Sequence, residues 1–421
     1  MAFVKNSTII LQFYKFFYEE KVLKTFFYSL IFVGPIYCVH FFEIFDRDPY
    51  SWLITLLALG SVAIFFLIPS SKKFWFGFFV GLLWFYWVGF SFFYFGAPIL
   101  VPVIAVVVAG IYMLLFVVAL YYPSYIWRGV WLVLLGYIHP FGFDWLLVDS
   151  FFAYSYFGVQ KYDFILIVLG IAFILQTQDR KQIVGIAFLI CALDYHSLAQ
   201  KKEEIPFDYA LLGSSFSQDF KWQRQNMQSM TKEQLTQIQT ALKEKKKLII
   251  LPETAFPFEI EKSYFWEILN SMSSGNTLIV GSLREGENGI YNSAYIFSNL
   301  RVSIADKKIL APFGEKIPLP DFLSSSLRHF FLGNSPKILE GEKFSDINIE
   351  GKKVRVLICY EGTSQEAYEN APKYLIVISN NAWFKGSIEP SVQKMLMKYY
   401  AKRYNKIILH AINGSRSFVM T

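Results

Sequence analysis

The sequence predicts two architectures in one chain: a multi-pass α-helical membrane domain of about seven helices over residues 1–196, and an α/β layered domain over residues 197–421. Three observations predict this. Residues 1–196 carry 21 charged side chains and residues 197–421 carry 52, in a 421-residue chain that is 54% hydrophobic, 19% aromatic and 17% charged. An average soluble domain is roughly 25% charged. Apolar runs approaching the ~20 residues that cross a bilayer core recur through the first part. In the second part, short apolar runs of strand length alternate with stretches of helical period. The 44 Phe and 26 Tyr exclude a disordered chain, and the uneven charge excludes a uniformly soluble enzyme.

The candidate spans are Thr25–Phe42, Trp52–Ile68, Phe74–Phe95, Pro98–Tyr122, Tyr125–Ile138 (extendable to Leu147), Asp163–Gln176 and Ile183–Leu193. The last two are short and need their flanks. No small-residue cleavage site precedes Thr25, so a cleavable signal peptide is not expected. With the N-terminus inside, the cytoplasmic loops hold Lys5, Lys15, Lys21, Lys24, Lys72, Lys73, Arg128, Arg180 and Lys181, and the opposite loops hold Arg47 and Lys161. That bias orients the chain by the positive-inside rule, and seven crossings put residues 197–421 on the far, periplasmic side. Pro35, Pro98, Pro102 and the glycines of the spans read as kinks and close packing. The segment Ile9–Tyr18 is amphipathic and reads as an inner-interface helix.

The net charge of +7 suits an anionic lipid surface. No basic stripe interleaved with aromatics points to nucleic acid. Three cysteines make no disulfide framework. Cys38 and Cys191 lie in apolar segments and read as small buried hydrophobes, whereas Cys359, alone in the second part, is either inert or reactive. His40 and His139 share no metal-ligand spacing, so neither metal nor cofactor is expected.

In the second part, residues 208–216 read as a strand and Gln225–Lys247 as a helix whose apolar positions are Met227, Met230, Leu235, Ile238 and Leu242. Leu248–Leu251 is a buried strand ending at Pro252-Glu253. A helix over Glu261–Met272 and a strand over Thr277–Gly281 follow. Tyr291–Ser298 and Arg301–Ala305 form a hairpin-like pair. Val354–Cys359 and Tyr374–Ser379 are buried strands, and Pro390–Tyr404 is a helix. Glu253, Lys307 and Cys359 each lie at a strand end, where sites gather in layered α/β folds. A thiol attacks carbonyls as thiolate, a carboxylate can take and return its proton, and an ammonium can hold the resulting oxyanion. The same residues also read as a buried structural thiol and two solvated charges, the commoner state of these types.

The runs LPETAFP (251–257), YNSAYIF (291–297), DKKILAPFGEKIPLP (306–320), ICYEG (358–362) and SNNAWF (379–384) together resemble the nitrilase, or carbon–nitrogen hydrolase, superfamily. With the membrane domain in front, the whole chain resembles the apolipoprotein N-acyltransferase family. The resemblance implies an αββα sandwich with a Glu-Lys-Cys triad: Glu253 as general base, Lys307 as oxyanion lysine and Cys359 as nucleophile. Spacing to Leu310 favours Lys307 over Lys308, and Lys316 does not occupy the family's lysine position. Glu315 corresponds to an accessory carboxylate. Tyr360 and Glu361 would support the nucleophile, with the Tyr360 N–H as second oxyanion donor; the bland reading is strand-end packing and a surface carboxylate. Trp222 and Trp383 match tryptophans near the pocket, against the bland reading of core residues. The implied reaction moves an acyl chain from a phospholipid, through a Cys thioester, to the α-amine of a diacylglyceryl apolipoprotein in a ping-pong cycle. Both substrates are held in the lipid bilayer of the inner membrane. The apolar stretch Leu319–Leu339 reads as an arm dipping toward lipid, or as a loop packed on its own domain.

Two residues depart from the family pattern: Leu251 replaces a Trp before Pro-Glu, and Asn381 replaces an Asp. The sequence ends at NGSRSFVMT, where the family continues with further strands and a last membrane helix, so those elements are expected to be missing. A membrane-tethered nitrilase-type amidase and a non-catalytic envelope scaffold are the alternative readings.

Overall fold

The computed structural model describes residues 20–142, 144–176, 182–195, 203–317 and 336–421. Of the expected arm Leu319–Leu339, residues 319–335 lie outside them, as does the amphipathic start Ile9–Tyr18, while Ile338 and Leu339 at the end of the arm lie beside Ile290. Two compact units divide the chain: Met1–Gly89, Ile99–Pro140 and Leu146–Ala199 in one, and Phe90–Pro98, Phe141–Trp145 and Gln200–Thr421 in the other. Two short stretches of the apolar half are thus grouped with the second unit.

The first unit is helical. Its elements are α1 (Glu20–Phe32), α2 (Gly34–Ile44), α3 (Ser51–Leu67), α4 (Lys73–Phe85), α5 (Leu100–Ala119), α6 (Tyr125–Leu134), α7 (Lys161–Gln176) and α8 (Gln182–Cys191). Each of the seven apolar segments therefore contains helix. Among the described residues only α5 is long and apolar enough to cross a membrane by itself. Up to three spans result if the pairs α1/α2, bent by 64°, and α3/α4, bent by 100°, each count as one. Seven crossings remain an expectation.

Close packing is where the glycines act. A Cβ at Gly77 would lie 2.5 Å from that of Phe116, and one at Gly81 would lie 2.9 Å from the Ala109 Cα, so this small-xxx-small pair lets α4 and α5 touch backbone to backbone. Gly170 and Gly185 do the same for α7 and α8. Phe32, Phe65, Phe76 and Phe116 fill the interior edge to face. On α5, Val103, Val106, Val107 and Leu114 are exposed, a continuous apolar face suited to lipid rather than water. Arg128, expected as a loop charge, is buried: its guanidinium donates to the carbonyls of Phe66 (2.5 Å) and Ile68 (2.8 Å) and to the Ser70 hydroxyl (3.0 Å), capping the C-terminal end of α3. Cys191 is exposed and Cys38 half-buried, a correction to the buried-hydrophobe reading.

The second unit is a sandwich. Strands β1 (Tyr209–Leu211), β2 (Leu248–Ile250), β3 (Phe256–Glu259), β4 (Thr277–Gly286), β5 (Gly289–Ser298) and β6 (Arg301–Asp306) form one sheet in the order β1-β2-β4-β5-β6, with β3 also on β4. Strands β7 (Ser345–Ile349), β8 (Lys352–Ile358), β9 (Tyr374–Asn380), β10 (Ile407–Asn413) and β11 (Phe418–Met420) form the other, in the order β11-β10-β9-β8-β7. Successive side chains of a strand face opposite sides. Leu248 and Ile250 therefore join Ile279, Val356, Ile358, Ile376 and Leu409 between the sheets, while Ile249 and Leu251 face outward under Ile238, Ala241 and Leu269. The latter come from α10 (Arg224–Lys243) and α11 (Phe265–Met272), which follow the short α9 (Gln218–Lys221). Helix α12 (Glu389–Tyr404) packs beyond the second sheet, with Met397 against Gly362. Strands covered on both faces read as the unbroken apolar runs LII and YLIVIS. The expected strand 208–216 shrinks to β1, and the helix expected from Glu261 starts at Phe265 after a 3-10 turn.

Candidate active site

Each predicted catalytic residue stands just past a strand. Glu253 follows β2 in a turn that packs directly on β4 at Gly281. A Cβ there would lie 2.4 Å from the Pro252 carbonyl oxygen and 2.7 Å from the Glu253 Cα, so only glycine admits the turn. Thr254 takes a left-handed φ of 47°. The Glu253 side chain is 5% exposed, and its Oε1 accepts from Asn292 Nδ2 at 2.6 Å.

Lys307 follows β6 and is 1% exposed. Its Nζ lies 2.7 Å from Glu315 Oε2 and 3.6 Å from Glu253 Oε1. Burial alone would lower its pKa, but Glu315 and then Glu253 outweigh it and hold the ammonium well above the ordinary lysine range. Glu315 also accepts from the Ala311 N–H (2.8 Å) and, through Oε1, from Asn292 Nδ2 (2.9 Å). One amide nitrogen thus ties both carboxylates, and one ammonium lies between them. Lys308 and Lys316 point elsewhere, paired with Glu366 and with Glu340 (2.7 Å).

Cys359 follows β8 with φ 54° and opens a 3-10 turn, Cys359–Thr363. A non-glycine residue in the left-handed region costs free energy and persists only where its surroundings fix it. Glu361 supplies much of that fixing. Its Oε2 accepts from the Ile358 N–H (2.7 Å), and its Oε1 from the N–H groups of Lys308 (2.7 Å) and Ile309 (3.2 Å). The carboxylate is therefore a buried staple joining the Cys359 turn to the Lys307 turn, and the surface-carboxylate reading fails. Burial pushes Glu361 up to about 7 against those hydrogen bonds. Burial also pushes the Cys359 thiol well up, Glu253 adds to the rise, and Lys307 opposes it.

Tyr360 is buried, with its hydroxyl 3.3 Å from Asp144 Oδ1 and its ring tilted on Trp145. Trp145 Nε1 donates to Thr363 Oγ1 (2.7 Å), which donates to the Tyr360 carbonyl (2.7 Å). Trp222 is 41% exposed just after α9, as its polar flanks suggest. Trp383 meets Tyr94 edge to face at 5.3 Å between ring centres and lies tilted against Phe95 at 6.0 Å. A cavity of ≈ 340 Å³ opens beside Tyr360, lined also by Lys308, Lys316, Glu340 and Glu366.

The sequence reading missed three contributors. Asn292 lies inside a motif that was noted only as a run. Asp144 lies in an apolar stretch that read as the end of a span. Lys221, which the sequence does not single out, is 1% exposed: its Nζ donates to the Glu253 carbonyl (3.0 Å) and to Thr254 Oγ1 (2.5 Å), and burial lowers its pKa to about 7. Among the described residues, no group of three or more His, Cys, Asp or Glu could hold a metal ion.

Residues 19–195 match the family described as the apolipoprotein N-acyltransferase integral membrane domain. The apolipoprotein N-acyltransferase of Helicobacter pylori is 40% identical over 406 residues, which span 95% of this chain and 94% of that one. The chain belongs to the apolipoprotein N-acyltransferase family. The Helicobacter hepaticus member is 38% identical over 92% of this chain and 98% of its own length, and the Campylobacter jejuni member 33% over 95% and 89%. Family membership makes the chain a bacterial membrane protein with an integral membrane domain. A carbon–nitrogen hydrolase superfamily structure from Xanthomonas campestris aligns with 49% of this chain and 76% of its own at 13% identity, with a TM-score of 0.38, which adds nothing to the assignment.

Proposed function

We propose that this chain N-acylates apolipoproteins by a two-step exchange at Cys359. The observation that carries the mechanism is the buried Lys307 ammonium set 2.7 Å from Glu315 and 3.6 Å from Glu253, both carboxylates tied by Asn292. Glu253 takes the Cys359 proton, and the thiolate attacks an ester carbonyl of a phospholipid. Lys307 and the Tyr360 N–H hold the oxyanion. The tetrahedral intermediate expels the lysophospholipid alkoxide, which takes the proton back from Glu253, and a thioester remains. The α-amine of a diacylglyceryl N-terminal cysteine then attacks the thioester and gives a proton to Glu253. The Cys359 thiolate leaves and is reprotonated, and the N-acyl amide departs. Glu315 keeps Lys307 in place, and Trp222 and Trp383 border the acyl path.

Residues 1–196 anchor the chain as a multi-pass domain in the inner membrane, and residues 197–421 work on the periplasmic side. With the buried Arg128 set aside, the eight-to-two bias of the cations that the sequence places in loops supports that orientation. The architecture suits the substrates, since lifting a tail out of the bilayer costs about 0.8 kcal/mol per CH₂.

The test is intact mass spectrometry of detergent-solubilised protein with a defined phospholipid, beside Cys359→Ser. An acyl increment that hydroxylamine removes, absent from the variant and discharged to a diacylglyceryl peptide as its N-acyl product, is the expected result. Discharge to free fatty acid alone would mean an amidase-type hydrolase. No increment in folded protein would mean a scaffold.

A further inference from the structure

Helix α12 presents two polar residues inward one turn apart, Glu389 and Gln393, each 1% exposed. A buried side-chain amide costs free energy unless both its ends are partnered. Gln393 Oε1 accepts from Asn381 Nδ2 at 3.2 Å, and that same Nδ2 donates to Ser415 Oγ at 3.1 Å. With its oxygen engaged by a donor, the Gln393 amide turns its other end the opposite way, and Nε2 comes to 3.9 Å from Cys359 Sγ, a donor distance for sulfur. The ionisable groups acting on that sulfur are Glu253 after β2, Lys307 and Glu315 after β6, Lys221 on α9 and Glu389 on α12. Three of the five are carboxylates, which oppose a negative sulfur. A neutral N–H donor favours it without adding charge.

We propose that Gln393 is a further catalytic residue, whose side-chain N–H donates to the Cys359 thiolate, and that Asn381 is a positioning residue that turns this N–H toward the sulfur. The direction depends on position 381 being an amide. An aspartate there could only accept, so it would draw Nε2 to itself and leave Oε1 facing Sγ. The proposal rests on Cys359 being the nucleophile.

The experiment measures Cys359 alkylation by iodoacetamide from pH 6 to 10 in the full-length, detergent-solubilised protein. Peptide mass separates Cys359 from Cys38 and Cys191. In Gln393→Met the midpoint should rise by roughly one pH unit and the rate at pH 7.5 should fall about tenfold. Gln393→Glu keeps the acceptor for Asn381 but turns an oxygen toward the sulfur, and should shift the midpoint further. Asn381→Asp should shift it upward as well, and Asn381→Asp combined with Gln393→Met should be no worse than the larger single change. An unmoved midpoint in both Gln393 variants, with unfolding temperatures intact, would overturn the proposal. A downward shift in Asn381→Asp would overturn the orientation. Acyl-enzyme formation is followed in the same samples: if the titration behaves as expected in protein that takes no acyl group from phospholipid, the thiolate contact stands and the acyltransferase mechanism is what fails.

Discussion

Two regions of the sandwich, the paired turns after β2 and β6 and the single turn after β8, bury carboxylates and stabilise them in different ways. After β2 and β6, Glu253 and Glu315 share the Lys307 ammonium and the Asn292 amide. After β8, Glu361 has backbone N–H groups as its hydrogen-bond donors, from Ile358, Lys308 and Ile309. A buried charge needs a counter-charge or several good hydrogen bonds. The first arrangement fixes charge where the proposed mechanism forms its oxyanion. The second fixes backbone, holding Cys359 in its left-handed conformation. Removing a group from the first should therefore abolish chemistry, and removing one from the second should alter stability and its pH dependence first.

The largest effect is expected at Lys307. Lys307→Met leaves Glu253 and Glu315 buried around an apolar chain, and breaking a buried pair costs about 3–5 kcal/mol. Losing an oxyanion donor costs a further ~10²–10³-fold in rate. Lys307→Arg keeps the charge and should recover most of the unfolding temperature but little of the acyl-enzyme rate. If arginine restored both, positive charge rather than ammonium geometry would be what the site requires. Next comes Asn292→Ala, which unties both carboxylates while leaving Lys307 in place. Losing the hydrogen bonds to two charged groups predicts a drop of roughly 10–10²-fold in acyl-enzyme formation, read by single-turnover mass spectrometry.

Glu361 breaks the comparison in the other direction. Its folded pKa of about 7 stands above the ordinary 4.5. Between those values the folded state binds the extra proton, so this group's contribution to stability falls as pH rises from about 4.5 to about 7 and is level beyond. The span corresponds to about 3 kcal/mol. Glu361→Gln removes that slope and breaks one arm of the staple, because its NH₂ meets a backbone N–H. Unfolding temperatures from pH 4.5 to 8 should fall with pH more gently in the variant than in the parent. Equal slopes would mean that Glu361 does not titrate in this range.

How much of this was legible follows from where each residue gets its environment. Apolar runs that stop abruptly place Glu253, Lys307 and Cys359 at strand ends, whereas their joint role in the proposed mechanism comes only from the resemblance of their motifs. Glu361 was visible as a residue but not as a staple, since its partners are backbone groups about 50 positions away in sequence. Lys221 carries no signal in the sequence, because a lysine in a polar stretch looks solvated, and only the fold of the Glu253 turn over it buries it. In the helical unit, the glycine pairs at 77/81 and 170/185 do what small residues in apolar helices suggest. Span number was harder, because the 64° bend between α1 and α2 falls inside one apolar run, and residues 69–73 mark the break between α3 and α4 without fixing how the two helices are placed.

The smallest predicted effect lies where the second turn meets residues from the apolar half. Asp144 faces the hydroxyls of Tyr360 (3.3 Å) and Tyr400 (3.4 Å), and burial raises it to about 6, with both hydroxyls opposing. Its folded pKa exceeds the ordinary 3.8, so this contribution too is greatest in acid and falls as pH rises from about 4 to 6. Asp144 retains partial exposure, which makes the change smaller than at Glu361, about 1–2 kcal/mol. Asp144→Asn keeps an acceptor for one tyrosine and removes the proton, so it should flatten the stability profile below pH 6 and change the acyl-enzyme rate less than about threefold. Tyr360→Phe keeps the ring against Trp145 and the backbone N–H, and should likewise cost under about 1.5 kcal/mol. Because the Tyr360 carbonyl is held through Thr363 and not through the phenol, the nucleophile turn keeps its shape in both variants. A rate loss above tenfold in Tyr360→Phe at unchanged unfolding temperature would give the hydroxyl a part in the chemistry, and would bring the second turn closer in kind to the first.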